Sequence, residues 1–202
     1  MKTPNMLMSR RHRTRADEAI LFCLHNLKFD SVLDICCGDG FHSDMFRKSG
    51  KKVTTVDHNS EYADHKGIYQ SIEFQPHDLT WCCKALEHQL NPHDFLKKIR
   101  RETKVGGYTC ITVPPLKHDI TGGHVSLWNA GILLYHLVLA GFDCSDAHIK
   151  TYKYNVSVVA QAAEFDLPPL SYDNGDIETL KPWLPWFCEE LFDGMILEYN
   201  WD

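Results

Sequence analysis

The sequence predicts an α/β fold built on a doubly wound parallel sheet, and two stretches carry that expectation. Ser31 to Gly40 (SVLDICCGDG) reads as a short strand that breaks into a glycine loop ahead of a helix beginning at Phe41. Lys52 to Asp57 (KVTTVD) reads as a second strand, rich in β-branched residues and ending in an acid, with Asp57 lying 23 residues beyond Asp34. Strand, glycine loop, helix, strand and terminal acid form the βαβ unit in which loop amides face a nucleotide and the acid meets ribose hydroxyls. Gly38 and Gly40 allow that approach because no Cβ holds the ligand away from the backbone. Asp34 stands inside the first strand, where an apolar residue is expected.

The other elements follow in order. Ala16 to Leu27 has Ile20, Leu21, Leu24 and Leu27 at helical spacing, with Asp17 and Glu18 early, where the helix dipole favours acids. Glu61 to Pro76 is short for a full helix and strand, so a pared-down connection is expected there. Leu79 to Cys83 reads as a core strand, and Asn91 to Thr103 as an amphipathic helix capped by Asn91 with Pro92 in its first turn. Tyr108 to Val113 is the next strand, stopped by Pro114 and Pro115. A polar, glycine-containing loop (Leu116 to His124) leads to an apolar helix over Ser126 to Ala140, closed by Gly141. Ala147 to Tyr154 and Asn155 to Ala162 alternate as a terminal hairpin, and Leu167 to Asp202 reads as a tail of short helices with Trp183, Trp186 and Trp201.

A length of 202 residues suits one domain: a helical lead-in over 1–30, a core over 31–165 and an aromatic tail over 166–202. A net charge of −6 makes no electrostatic case for nucleic acid or an anionic membrane surface. The basic cluster Arg10, Arg11, Arg13 and Arg15 reads either as a solvated leading segment or as a contact to phosphate or carboxylate. Adjacent pairs (Cys36 with Cys37, Cys82 with Cys83) and no CxxC spacing argue for reduced thiols rather than a disulfide framework or a zinc finger. With no signal-peptide pattern and no apolar run of about 18 residues, a soluble cytoplasmic protein is expected.

LDICCGDG (Leu33 to Gly40), TVD (Thr55 to Asp57), the LEH to P stretch (Leu86 to Pro114) and HVSLWNAGILLYHLVLAGF (His124 to Phe142) resemble the class I S-adenosylmethionine-dependent methyltransferases, specifically the small type 11 group. A dehydrogenase loop would carry the third glycine of GxGxxG, which is absent here. The resemblance implies a seven-stranded Rossmann-like sheet in the order 3-2-1-4-5-7-6, strand 7 antiparallel, with S-adenosylmethionine across the strand tips. It places Asp34, Cys36, Gly38 and Gly40 at the methionine end, Asp57 at the ribose, and His58 beside the adenine; Cys83 joins this cofactor set. Relatives usually carry an acid after strand 3 that meets the adenine amino group. Counting back from LEH makes His77 and Asp78 the start of strand 4, which leaves Asp78 structural and Ile68 or Tyr69 packing on the adenine.

Methyl transfer from a sulfonium is an in-line displacement that needs an aligned acceptor and a base near neutrality for its proton, which favours histidine. His88 follows strand 4, and His118 and His124 lie on the loop after strand 5; these are the candidate catalytic residues, with Asp119 placed to orient His118. Alternatively Glu87, His88 and one of His118, Asp119 or His124 hold a divalent ion, a reading disfavoured because Lys84 stands where metal-binding relatives carry an acid. The expected acceptor is a sugar hydroxyl of a glycan or nucleotide sugar. The alternatives are O- or N-methylation of another small metabolite and a noncatalytic cofactor-binding module.

Overall fold

The computed structural model describes residues 15–201; of the basic cluster, only Arg15 falls among them. The chain runs α1 (Asp17–Asn26), β1 (Ser31–Ile35), α2 (Phe41–Lys48), β2 (Lys52–Asp57), β3 (His65–Lys66) and β4 (His77–Cys83). It continues through α3 (Pro92–Arg101), β5 (Thr103–Val113), α4 (Ala130–Leu139), β6 (Phe142–Tyr152), β7 (Asn155–Ala162), α5 (Asp176–Leu180) and β8 (Glu198–Tyr199). One sheet holds them in the order β3-β2-β1-β4-β5-β7-β6-β8, with β7 antiparallel to both of its neighbours. This is the expected order with one addition, the edge strand β8, which pairs Tyr199 with Ile149 and Glu198 with Lys150.

Both faces of the sheet are covered, as its mainly parallel pairing requires. On one face α3 and α4 bury Phe95, Leu96, Ile99, Leu133, Leu134 and Leu137 against the strands. On the other, α1 and α2 bring Ile20, Phe22 and Phe46 onto Val32, Leu79 and Trp81. The helix expected from Ser126 starts at Ala130, because Asn129 caps it: the Asn129 side chain accepts from the Ile132 amide at 2.9 Å.

The strand-4 register is the one counted back from LEH. Asp78 lies at the start of β4 and ties three strand beginnings together. Its Oδ2 accepts from the Asp30 amide (3.1 Å), the Ser31 amide (2.8 Å) and Ser31 Oγ (2.7 Å), while Lys104 Nζ donates to Oδ1 at 2.6 Å. Only the two residues of β3 and a 3-10 turn over Tyr69–Ser71 fill the space between β2 and β4.

Tyr69 departs from the expected adenine contact. Its ring is buried against Phe95 with centroids 5.3 Å apart, and its hydroxyl donates to Glu102 Oε2 at 2.6 Å. It is a core residue, anchored by a buried network in which Lys98 Nζ also donates to Glu102 Oε1 at 2.6 Å.

Candidate active site

In an open α/β sheet the ligand crevice lies beyond the carboxyl ends of the strands, and most of the expected cofactor residues converge at the tips of β1 and β2. Past Ile35 the backbone turns sharply: the Cys36 and Cys37 amides donate to the Val56 carbonyl at 2.8 and 3.2 Å, and the Gly40 amide donates to the Cys37 carbonyl at 3.0 Å. Gly38 and Gly40 sit at φ +55° and +73°. A Cβ on Gly38 would meet open space, whereas one on Gly40 would lie 3.1 Å from Tyr62 Cβ. Gly38 therefore leaves its Cα side open to close approach, and Gly40 serves the packing of the loop.

Asp57 joins the two loops. Its Oδ2 accepts from the Gly38 amide at 3.1 Å, and its Oδ1 accepts from the Asn59 and Ser60 amides at 2.8 and 2.9 Å. A carboxylate offers about four acceptor positions, so one position on Oδ2 stays open. His58 is exposed, bonded to its neighbour Asn59 (2.7 Å) and 3.9 Å from Asp57 Oδ1, and Ile68 is 60% exposed.

Asp34 is buried and accepts a short hydrogen bond from Ser43 Oγ. Burial pushes its carboxyl up to about 7, with the Ser43 bond opposing the shift. A folded-state value above the unfolded one near 3.9 means the folded chain holds the extra proton. This contribution to stability is complete below pH 3.9 and is lost as the pH rises through about 7. Without cofactor, the wild type is expected to lose about 1–3 kcal/mol relative to Asp34→Asn between pH 4 and 7.5, as read from urea unfolding.

Cys36 occupies φ +60°, a left-handed conformation that suits glycine. Burial pushes its thiol up to about 12, and that of Cys83 to about 12, so neither is a thiolate nucleophile near neutrality. Cys36→Gly is expected to stabilise the chain by about 0.5–1 kcal/mol, visible as a rise of a few degrees in the thermal midpoint.

At the tips of β4 and β5 lies a second cluster. The 3-10 turn Leu86–His88 is clasped by the following loop: the Val125 amide donates to the Glu87 carbonyl at 2.9 Å, and His88 Nδ1 meets the Gly123 carbonyl at 2.7 Å. Because a carbonyl only accepts, His88 carries its proton on Nδ1 and leaves Nε2 as an acceptor. His124 packs edge-on against His88, ring centroids 4.9 Å apart. Burial, with His88, Lys117 and Lys84 nearby, pushes the His124 imidazole below its ordinary value, and burial pushes the Glu87 carboxyl up. His118 and Asp119 are exposed on the same loop and stand apart from this cluster.

Sequence reasoning assigned no active role to Lys84, Lys117 or Tyr154. Lys84 follows β4 at φ +61°, and its Nζ donates to the Tyr154 carbonyl at 2.5 Å. The Lys84 and Lys117 ammonium groups lie 5.0 and 5.2 Å from the centroid of the Tyr154 ring. Tyr154 arrives from the β6–β7 turn, and nothing in the local sequence relates it to β4. Arg15, of the basic cluster read as either a solvated segment or an anion contact, meets a carboxylate, and His42, which sequence reasoning did not single out, is half-buried nearby. The Arg15 guanidinium lies 3.8 Å from the Phe41 ring centroid and pairs with Asp39 at 3.3 Å. His42 is held against Trp81, and burial pushes its imidazole down to about 4.

The comparisons with known proteins agree with this architecture. Residues 8–161 match the methyltransferase domain family. Over 108 residues the chain is 31% identical to malonyl-[acyl-carrier protein] O-methyltransferase of Salmonella typhimurium, an alignment covering 47% of this chain and 43% of that protein. The chain thus spans less than half of that curated relative. Among solved structures, Burkholderia thailandensis 1,6-didemethyltoxoflavin-N1-methyltransferase, with bound S-adenosylhomocysteine, superposes with a TM-score of 0.64 at 16% identity, covering 78% of this chain and 81% of that one. An Archaeoglobus fulgidus SAM-dependent methyltransferase gives 0.62 at 16% identity over 75% and 93% of the two chains. At such identities the structures speak for the fold, and the family match for the kind of enzyme. The chain belongs to the methyltransferase domain family.

Proposed function

We propose that this enzyme transfers the S-adenosylmethionine methyl group to an acidic oxygen, a carboxylate or an acidic enol or phenol, of a small-molecule acceptor. The observation that carries this reading is Lys84. It is half-buried at the tip of β4, held by a carbonyl and an aromatic face, with no carboxylate within ion-pairing distance among the described residues. Withdrawing an ammonium group from water is costly unless an anion compensates it, and an acceptor oxyanion arriving beside Lys84 and Lys117 supplies that compensation. The Salmonella relative is named as an O-methyltransferase acting on a malonyl group, which ends in a carboxylate, and this supports oxygen as the accepting atom.

The residues divide the work by position. Asp57 and the Cys36–Gly40 loop hold the cofactor, whose sulfonium supplies the methyl group. Lys84 draws the acceptor oxygen toward the tip of β4 and stabilises its negative charge until the new bond to the methyl carbon forms. Of the tail tryptophans, Trp183 stacks on Phe165 and Trp201 on Phe22, each with centroids 4.4 Å apart, while Trp186 is exposed.

Mass spectrometry after incubation with methyl-labelled S-adenosylmethionine separates these readings, using parallel sets of carboxylic acids, phenols and enols, neutral sugars, and amines. Label is expected in the acidic-oxygen sets, and Lys84→Met is expected to lower kcat/KM there about 10- to 100-fold, as loss of one charge-assisted contact would. Label confined to sugars or amines, or an unchanged Lys84→Met enzyme, would overturn the assignment.

A further inference from the structure

Glu87, His88 and His124 each present one donor atom, and the three atoms lie within 4.8 Å of one another. Two of these side chains are costly as ordinary structure. Glu87 is 1% exposed, yet its Oε2 has no hydrogen-bond partner; His124 Nδ1 is likewise buried and unpartnered. Buried polar atoms left unpaired lose their hydration without return, and folded proteins seldom tolerate them without a reason.

Nor is the cluster free to relax outward. The Val125 amide is bonded to the Glu87 carbonyl (2.9 Å) and the His124 amide to the Thr121 carbonyl (3.1 Å), while the Gly123 carbonyl holds His88 Nδ1 at 2.7 Å. That last contact directs the His88 proton to a carbonyl and presents Nε2 as a fixed lone pair, the arrangement in which imidazoles bind metals.

We propose that Glu87, His88 and His124 form a binding site for one divalent first-row transition ion, of the zinc, iron or manganese kind. Two imidazoles and one carboxylate with further positions open suit such ions, whereas magnesium and calcium prefer sets made of oxygen. Lys84 and Lys117 stand nearby, and an acceptor oxyanion lying between the ion and Lys84 balances their charge. The role of the ion, lowering the charge on the acceptor oxygen, rests on the function proposed above; its binding does not.

The test uses the full chain, freed of metal by a chelator and titrated with Zn²⁺ by calorimetry and with Co²⁺ by visible absorption. One ion per chain is expected, with affinity falling at least about 10-fold in Glu87→Gln and again in His124→Ala. Undiminished S-adenosylhomocysteine binding by both variants shows that they fold and keep the cofactor cradle. Absence of stoichiometric binding would overturn the proposal, and so would binding that both substitutions leave unchanged, which would assign the ion to thiols. Methyl transfer is measured separately on the same preparations. A bound ion with no acceptor labelled upholds the site while refuting the proposed function; labelled acceptors with no bound ion do the reverse.

Discussion

Asp57→Ala is expected to raise the dissociation constant for S-adenosylmethionine at least about 100-fold, roughly 2.7 kcal/mol. Hydrogen bonds to charged groups contribute about 1.5–3 kcal/mol each, so losing a ribose hydroxyl contact accounts for much of this. The rest comes from preorganisation. Asp57 holds the Gly38 amide at 3.1 Å and the Asn59 and Ser60 amides at 2.8 and 2.9 Å, so its removal releases both loops that shape the cradle. Asp57→Asn keeps one acceptor oxygen and should fall between. Calorimetry on variants with wild-type thermal midpoints checks both; a loss below about threefold in Asp57→Ala would remove it as the ribose anchor.

Glu102→Ala is expected to cost about 3–5 kcal/mol of stability, the usual consequence of stranding one partner of a buried ion pair. Glu102 is 1% exposed and Lys98 3%. The carboxylate takes the Lys98 ammonium (2.6 Å), the Tyr69 hydroxyl (2.6 Å) and the Phe74 amide (3.1 Å), thereby fastening the β3–β4 connection to the end of α3. Its loss leaves the Tyr69 hydroxyl and the Phe74 amide without their acceptor and Lys98 with only the exposed Glu73, 3.1 Å away. At about 2–4 °C per kcal/mol for a chain of this size, the thermal midpoint should fall by roughly 10 °C. Replacing the pair together, Lys98→Met with Glu102→Leu, should recover most of that loss, because an apolar pair leaves no buried charge. A fall below about 1 kcal/mol for Glu102→Ala would show that the network is not a structural anchor.

The glycine loop and the acid at Asp57 were legible because a turn requiring positive φ and a strand-terminal carboxylate are local features. The β4 register was legible because Asp78 lies only ten positions before His88, too few for a connection and then strand 4 had Asp78 been the acid after strand 3. Tyr69 was misplaced because an aromatic residue after a short strand reads alike as a ligand platform or as core. Only the distant Glu102 decides which. β8 escaped notice because two residues show no alternation, and its pairing with β6 is entirely long-range. Lys84 and Tyr154, and Glu87 and His124, meet only through the fold: strand order brings the β6–β7 turn and the β5–α4 loop to the tip of β4, and neither pair shares a sequence motif. The candidate histidines were therefore named without a means of ranking them.

The most direct test of the central claim follows the methyl group itself. Methyl-¹³C S-adenosylmethionine is incubated with the enzyme and a mixture of small organic acids, phenols, sugars and amines, and carbon NMR identifies the atom to which the labelled carbon becomes attached. Transfer by this site should yield an ester or aryl or enol ether methyl on an acidic oxygen, with stoichiometric release of S-adenosylhomocysteine. A methyl group found on nitrogen, carbon or a neutral sugar oxygen would contradict the account.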